Sequence, residues 1–313
     1  MRKEVLVIAP MMEIVLPQLR ERFETHVLWE ADDPEALVAE VGPRVEAIAT
    51  DGVVGCQTDL MDKCPNAKII GSCSVGYDAI DIAGAKERGV AVTNTPDVLN
   101  DAVAEMTMAL MLGLARKIPQ SDAYVRAGRW VSEGAYPYTA ELTGKTVGIL
   151  GLGRIGKEIA LRCQAMRMRV VYHGRSEQAH IPYPYYADLE DMARDIDWLV
   201  VIAPGTPETK AIVSRNVMAA LGPEGSLVNV ARGSLVDQTA MVEMLISGAL
   251  GGAALDVFEA EPTVPEALFG LDNVVLSPHQ GSATWKTRQQ MGELVIHNIQ
   301  AHFDGKPLLT PVA

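Results

Sequence analysis

The chain is short of cysteine, of positive charge and of long apolar runs, and each shortage removes a class of protein. Only Cys56, Cys64, Cys73 and Cys163 occur in 313 residues, with no C-x-x-C pair and no histidine cluster at metal-ligand spacing. A disulfide scaffold and a metal site are therefore not expected, and the thiols should be reduced and buried. Lysine and arginine number 27 against 40 acidic residues, a net charge of −13. Such a surface repels nucleic acid and anionic membranes, so an anionic ligand has to be met by locally placed arginines. No stretch reaches the ~18 uninterrupted apolar residues of a membrane span. The opening MRKEVLVIAPMMEIVLPQLRERFE is broken by Pro10 and Glu13 and reads as a strand and helix rather than a signal peptide. A cytoplasmic protein is expected. Low-complexity tracts and charge runs are also missing.

What is present is the composition of a soluble globular protein, 48% hydrophobic and 21% charged, in a chain long enough for two cores. Short β-branched runs alternate with amphipathic stretches: VLVIA (5–9), VEAIAT (45–50), AKIIGSC (67–73) and VAVTN (90–94) read as buried strands of a parallel sheet covered by helices. NTPD (94–97) breaks the pattern. The run DVLNDAVAEMTMALMLGLARKI follows, apolar nearly all round, as in a helix buried on several sides between domains or subunits. A second series starts at KTVGILGLGRIG (145–156) and continues through RVVYH, DWLVVIAP, GSLVNVA, GGAALDV and NVVLSP. The residues alone read as two parallel-sheet α/β domains in succession, with a boundary near Pro96 and a linker helix.

GLGRIG places Gly151, Gly153 and Gly156 between a strand and a helix, the context that a dinucleotide fingerprint requires. Gly151 allows the tight turn, Gly153 lets the backbone approach a pyrophosphate, and Gly156 allows close helix packing. Arg154 and Ile155 open the helix whose N-terminus favours the anion, and Arg154 adds a charge. An acid about 20 residues beyond this motif holds the ribose 2′-hydroxyl of NAD, whereas an arginine accommodates the 2′-phosphate of NADP. Here the strand ends in VVYHGRSEQ, where Arg175 and Ser176 stand in place of an acid. NADP is therefore expected, with NADPH preferred over NADH.

Three further motifs lie just past predicted strands: NVARGSLVD with Arg232, LDVFEAEP with Asp256, Glu259 and Glu261, and LSPHQGS with His279. Open parallel sheets bind ligands at that carboxyl edge. A histidine can protonate a carbonyl oxygen, an acid beside it can hold its tautomer, and an arginine can clamp a carboxylate with two bonds. Together these groups suit reduction of a 2-oxo acid. The residues alone leave open whether Glu259 or Glu261 partners the histidine.

GLGRIG, NVARGSLVD, ALDVFEAEP and SPHQGSAT, in this order and spacing, resemble the NAD(P)-dependent D-2-hydroxyacid dehydrogenase family. The resemblance extends through SCSVGYDAID and VAVTNTPDVLNDAVAE to GKPLLTPV, and is greatest to the NADPH-dependent glyoxylate/hydroxypyruvate and hydroxyphenylpyruvate reductases. It implies Arg232 as substrate clamp and carbonyl polariser, His279 as acid and Glu261 as its partner. It further implies that the Val75 and Gly76 N–H groups bind the substrate carboxylate. Asp256 and the Val230 carbonyl would hold the nicotinamide carboxamide, and Thr107, Ala203, Pro204 and Thr209 would line the cofactor groove.

The resemblance also replaces the succession of domains. It implies two doubly wound parallel-sheet domains: a flavodoxin-like substrate domain of residues 1–97 plus 287–313, rejoined by a last helix at about 284–303, and a Rossmann cofactor domain of residues 98–286. The active site would lie in the cleft between them, and the helix after Pro96 would form much of a homodimer interface. Small substrates such as glyoxylate and hydroxypyruvate are expected, with 4-hydroxyphenylpyruvate and 2-ketogluconate as alternatives and a dinucleotide-sensing corepressor as a remote one. Tyr77, Trp130, Tyr136 and Tyr138 are expected to pack an interface in preference to an aryl pocket, and Gln280 has no assigned role.

Overall fold

The structure, a computed structural model, describes residues 2–312. Two compact units divide the chain, Met1–Leu99 with Thr284–Ala313 and Asn100–Ala283. The return of the C-terminal segment to the first unit corrects the reading of two domains in succession.

In the first unit β1 (Glu4–Val7), β2 (Glu24–Val27), β3 (Ala47–Thr50), β4 (Ile69–Ser72) and β5 (Ala91–Thr93) form an all-parallel sheet in the order β2-β1-β3-β4-β5. This is the flavodoxin-like order, with its switch point between β1 and β3. Strands β3 and β4 are buried along their whole length, which is why they read as continuous apolar runs. Only β2, an edge strand with half-exposed Glu-Thr-His, lacks such a run.

The helix Trp285–Phe303 closes this unit by packing on β4: a Cβ on Gly71 would meet Val295 at 2.9 Å, and one on Gly292 would meet Val15 at 2.2 Å. Buried Asn298 on this helix accepts the Leu309 and Thr310 N–H groups at 2.9 and 3.1 Å and donates to Thr310 Oγ1 at 2.9 Å. Thr310 Oγ1 in turn donates to the Asn94 carbonyl, so the tail is held to the loop after β5.

The second unit holds β6 (Thr146–Leu150), β7 (Arg169–His173), β8 (Tyr185–Tyr186), β9 (Trp198–Val201), β10 (Ser226–Asn229), β11 (Gly252–Leu255) and β12 (Val274–Leu276). All pairings are parallel, in the order β12-β11-β10-β9-β6-β7-β8, with the switch point between β6 and β9. That is the doubly wound dinucleotide-binding order extended by one strand.

The helix Asn100–Ala115 packs within this unit, against the helix Arg154–Ala165 and strands β11 and β12. Its all-round apolar character is thereby accounted for, and it is no linker. Several large exposed apolar side chains follow it: Ile118, Val125, Trp130, Val131 and Tyr138.

Candidate active site

At the switch point of the second unit, Gly151 turns the chain with φ +101°, a conformation that side chains rarely adopt. A Cβ there would meet the Ala203 backbone N at 2.7 Å, and one on Gly156 would meet the Gly151 carbonyl at 2.4 Å. The first turn of the helix Arg154–Ala165 therefore lies directly on the turn after β6, and that turn on the backbone after β9. Gly153 differs: nothing lies within 4 Å of its Cβ position. It is also the N-cap of that helix and provides no side-chain cap for the first-turn N–H groups. A tight turn, open space above its central glycine and an uncapped helix start together fit a dinucleotide pyrophosphate. Arg154 is exposed and Ile155 half-buried at that start.

Beyond β7, Arg175 and Ser176 are exposed, and Gly174 likewise has open space at its Cβ position. The other groove residues are placed less uniformly. Ala203 is half-buried and Pro204 exposed just past β9. Thr209 closes the following turn by donating to the Pro204 carbonyl at 2.8 Å and accepting from the Thr206 N–H at 2.8 Å. Val230 is buried, and Thr107 is wholly buried with its hydroxyl donated to the Val103 carbonyl at 2.7 Å.

The chemistry-bearing side chains of this unit converge after β10, β11 and β12. Gly233 makes the first junction, because a Cβ on it would sit 2.0 Å from the Phe258 carbonyl carbon; only glycine lets the Arg232 turn lie directly on the loop after β11. Asn229 shapes that turn, accepting from the Ala231 N–H at 3.1 Å and donating to the Arg232 carbonyl at 2.8 Å. The half-buried Arg232 side chain donates through Nη1 to the Ala231 carbonyl at 2.8 Å.

Asp256 makes the second junction. It is 1% exposed, and its carboxylate accepts from Ser277 Oγ, the Gln280 N–H and the Gly281 N–H at 2.7, 2.7 and 2.8 Å. The His279 N–H donates to the Asp256 carbonyl at 2.8 Å. The whole S-P-H-Q-G turn is thus wrapped around one buried acid, and this holds His279 at φ +53°, a left-handed conformation uncommon outside glycine. Three of its about four lone-pair positions are thereby engaged.

His279 Nδ1 lies 2.6 Å from Glu261 Oε2, and the other Glu261 oxygen accepts the Phe258 N–H at 3.0 Å. Burial by itself would raise the Glu261 carboxyl, but the hydrogen bonds from His279 and Phe258, with the charges of His279 and Arg232, bring it below the usual carboxylate range. An ionised Glu261 accepts only, so Nδ1 carries the proton of this bond and Nε2 is the ring nitrogen not engaged by it. Glu259 is exposed, and its N–H donates to Gln238 Oε1 at 3.1 Å. Of the two acids left open by the residues, Glu261 is the one that meets His279.

In the first unit, the loop after β4 carries half-buried Val75 and Gly76. Asn94 donates to the Val75 carbonyl at 2.9 Å and the Thr95 N–H to the Ser74 carbonyl at 2.9 Å. Gly52 lies close enough that a Cβ would meet Ser74 Oγ at 2.4 Å. Tyr77 and Trp130 are exposed, while Tyr136 packs edge-on against Tyr124 at 5.2 Å between ring centres. Ser277, Tyr172, Tyr185 and Gln178 carry no local sequence signal: the bonds of Ser277 and Gln178 reach 21 and 26 residues along the chain, and those of the two tyrosines close the loop after β7.

Residues 108–281 match the family described as D-isomer specific 2-hydroxyacid dehydrogenase, NAD binding domain. Over 308 residues, 98% of either chain, the sequence is 44% identical to glyoxylate/hydroxypyruvate reductase A of Arabidopsis thaliana. It is 45% identical to hydroxyphenylpyruvate reductase of Plectranthus scutellarioides over the same length. Among solved structures it is similar to an NADPH-dependent glyoxylate/hydroxypyruvate reductase of Sinorhizobium meliloti in complex with NADP and malonate. That similarity has a TM-score of 0.95 and 44% identity, covering 100% of this chain and 97% of that one.

Proposed function

Because the chain belongs to the D-isomer specific 2-hydroxyacid dehydrogenase family, we propose that it reduces small 2-oxo acids, glyoxylate and hydroxypyruvate foremost, to D-2-hydroxy acids with NADPH. The observation that carries the reading is the His279–Glu261 pair at 2.6 Å on the same sheet edge as Arg232 and the glycine cradle. When bound, NADPH supplies a hydride to C2 of the substrate. Arg232 orients the substrate and stabilises charge developing on its carbonyl oxygen. His279 gives that oxygen a proton from Nε2, and the ionised Glu261 keeps Nδ1 protonated and the ring in one orientation. The remaining acceptor site of Asp256 takes the nicotinamide carboxamide together with the Val230 carbonyl, while the Val75 and Gly76 N–H groups take the substrate carboxylate. Ala203, Pro204, Thr107 and Thr209 border the cofactor.

Arg175 and Ser176 support the choice of NADPH, since two exposed donors with no acid at the strand end suit a phosphate. A homodimer is part of the same proposal. It rests on the helix Asn100–Ala115, where Met106, Met108 and Leu112 are half-buried, and on the exposed Ile118, Val125, Trp130, Val131 and Tyr138 that follow it. No described helix is long and apolar enough to cross a membrane, and four free, buried thiols suit a reducing compartment such as the cytoplasm.

The test is kcat/KM for glyoxylate, hydroxypyruvate, 4-hydroxyphenylpyruvate and 2-ketogluconate, each with NADPH and NADH. Highest values for the two small acids with NADPH are expected. The aryl acid has the support of the 45% identical hydroxyphenylpyruvate reductase, and a preference for it would keep the mechanism and change the substrate. Absence of turnover with all four would overturn the reading.

A further inference from the structure

The loop that carries Arg175 is held at three points. Tyr185 Oη donates to the Gly174 carbonyl at 3.1 Å, and the Gln178 N–H donates to Tyr172 Oη at 2.7 Å. Gln178 Nε2 crosses to the Leu152 carbonyl at 2.8 Å, in the middle of the glycine turn. Tyr172 is 1% exposed and its ring leans on that of Tyr185 with centres 5.3 Å apart, so the two phenol anchors are themselves fixed. At the strand end, His173 Nδ1 meets the Tyr186 carbonyl at 2.9 Å. Arg175, Ser176 and Glu177 are the exposed residues enclosed by these bonds.

We propose that Gln178, with Tyr172 and Tyr185, is a positioning clamp that holds the Arg175–Ser176 loop ready for the 2′-phosphate of NADPH at a fixed distance from the pyrophosphate turn; the proposal rests on the NADPH reading above. Two physical reasons support it. Arginine and serine on a slack loop would have to be ordered on binding, and that cost would be taken from the affinity; a loop fixed beforehand avoids it. The loop also carries Glu177, exposed and two residues from Arg175, so a slack loop would present either charge to a phosphate. The bond to Leu152 is the particular feature, because it joins the two phosphate-binding parts of the unit directly, where packing of the β7–β8 edge alone would need no such link.

The experiment is calorimetric titration of the purified protein and its Gln178→Ala, Tyr185→Phe and Arg175→Ala variants with adenosine 2′,5′-bisphosphate and with 5′-AMP, alongside the NADPH-to-NADH ratio of kcat/KM. Loss of one hydrogen bond and of loop order should raise the Gln178→Ala Kd for the bisphosphate about tenfold relative to that for 5′-AMP. The kcat/KM ratio should fall by a similar factor. Tyr185→Phe, which removes a single hydroxyl, should move both in the same direction by about threefold and serves if Gln178→Ala fails to fold. A folded Gln178→Ala protein with unchanged discrimination, or one weakened equally for both probes, overturns the clamp while Arg175→Ala still lowers the wild-type preference. A wild-type protein that binds both probes alike and prefers NADH overturns the NADPH reading and the clamp with it.

Discussion

Replacing Glu261 by glutamine keeps the size of the side chain and removes the charge that faces His279 Nδ1 across 2.6 Å. The amide oxygen can still accept the Phe258 N–H, so the loop after β11 keeps its anchor and the change is confined to the imidazole. A charge-assisted bond of this kind contributes about 1.5–3 kcal/mol. With the two side chains 21% and 32% exposed, the lower end of that range applies. At about 1.4 kcal/mol per factor of ten, the loss corresponds to about tenfold in rate. Glutamine can turn either its amide donor or its oxygen toward Nδ1, so the tautomer and orientation of the imidazole are no longer fixed. The kcat/KM for 2-oxo acid reduction by Glu261→Gln should fall about tenfold. Stability gives a second readout. The Glu261 carboxyl is held below its usual value of 4.5, so its contribution is present above 4.5 and is lost as the pH falls through the lower folded value. The difference in Tm between wild type and variant should therefore shrink below pH 4.5. A kcat/KM equal to that of the wild type would refute the pairing of Glu261 with the proton donor.

Arg232→Ala and His279→Ala should each lower kcat/KM by about a thousandfold or more, since each removes a group that acts on the developing oxyanion; steady-state assays with glyoxylate and hydroxypyruvate measure this, and near wild-type turnover in either variant would remove that residue from the mechanism. Asp256→Asn places an amide donor among Ser277 Oγ and the Gln280 and Gly281 N–H groups in a buried site. It should destabilise the protein by about 2–4 kcal/mol, read as a lowered Tm, and an unchanged Tm would deny its anchoring role. Burial pushes the thiols of Cys56, Cys73 and Cys163 up to about 12 and that of Cys64 up to about 11. A disulfide reagent at pH 8 should therefore find almost no reactive thiol in the native protein and four after denaturation, and fast native labelling would contradict the burial.

Strands β1, β3, β4 and β5 and most of the second sheet were legible because both faces of a parallel sheet are covered, which leaves short continuous runs of Val, Ile and Leu. The two missed strands are edges: β2 is Glu-Thr-His-Val with half-exposed positions, and β8 is two tyrosines whose pairing depends on His173 and Pro184. An edge needs less apolar content than a core strand and leaves a weaker trace.

The glycine fingerprint, the arginine at the strand end and the three motifs past the strands follow from local rules: a φ of +101°, a Cβ that would collide with backbone, a residue placed next after a strand. Such requirements act on single residues or fixed short spacings, so the sequence by itself determined the two parallel sheets, the dinucleotide turn and the places of the candidate histidine and arginine just past the strands. It could not choose between Glu259 and Glu261, because both stand in one loop and the choice is made by His279, 18 residues beyond Glu261. Nor could it show that Asp256 binds the His279 turn together, or that Gln178 reaches back 26 residues to Leu152. Those bonds join loops that are neighbours only because β6 lies beside β7 and β11 beside β12 in register, and tertiary structure alone sets that adjacency.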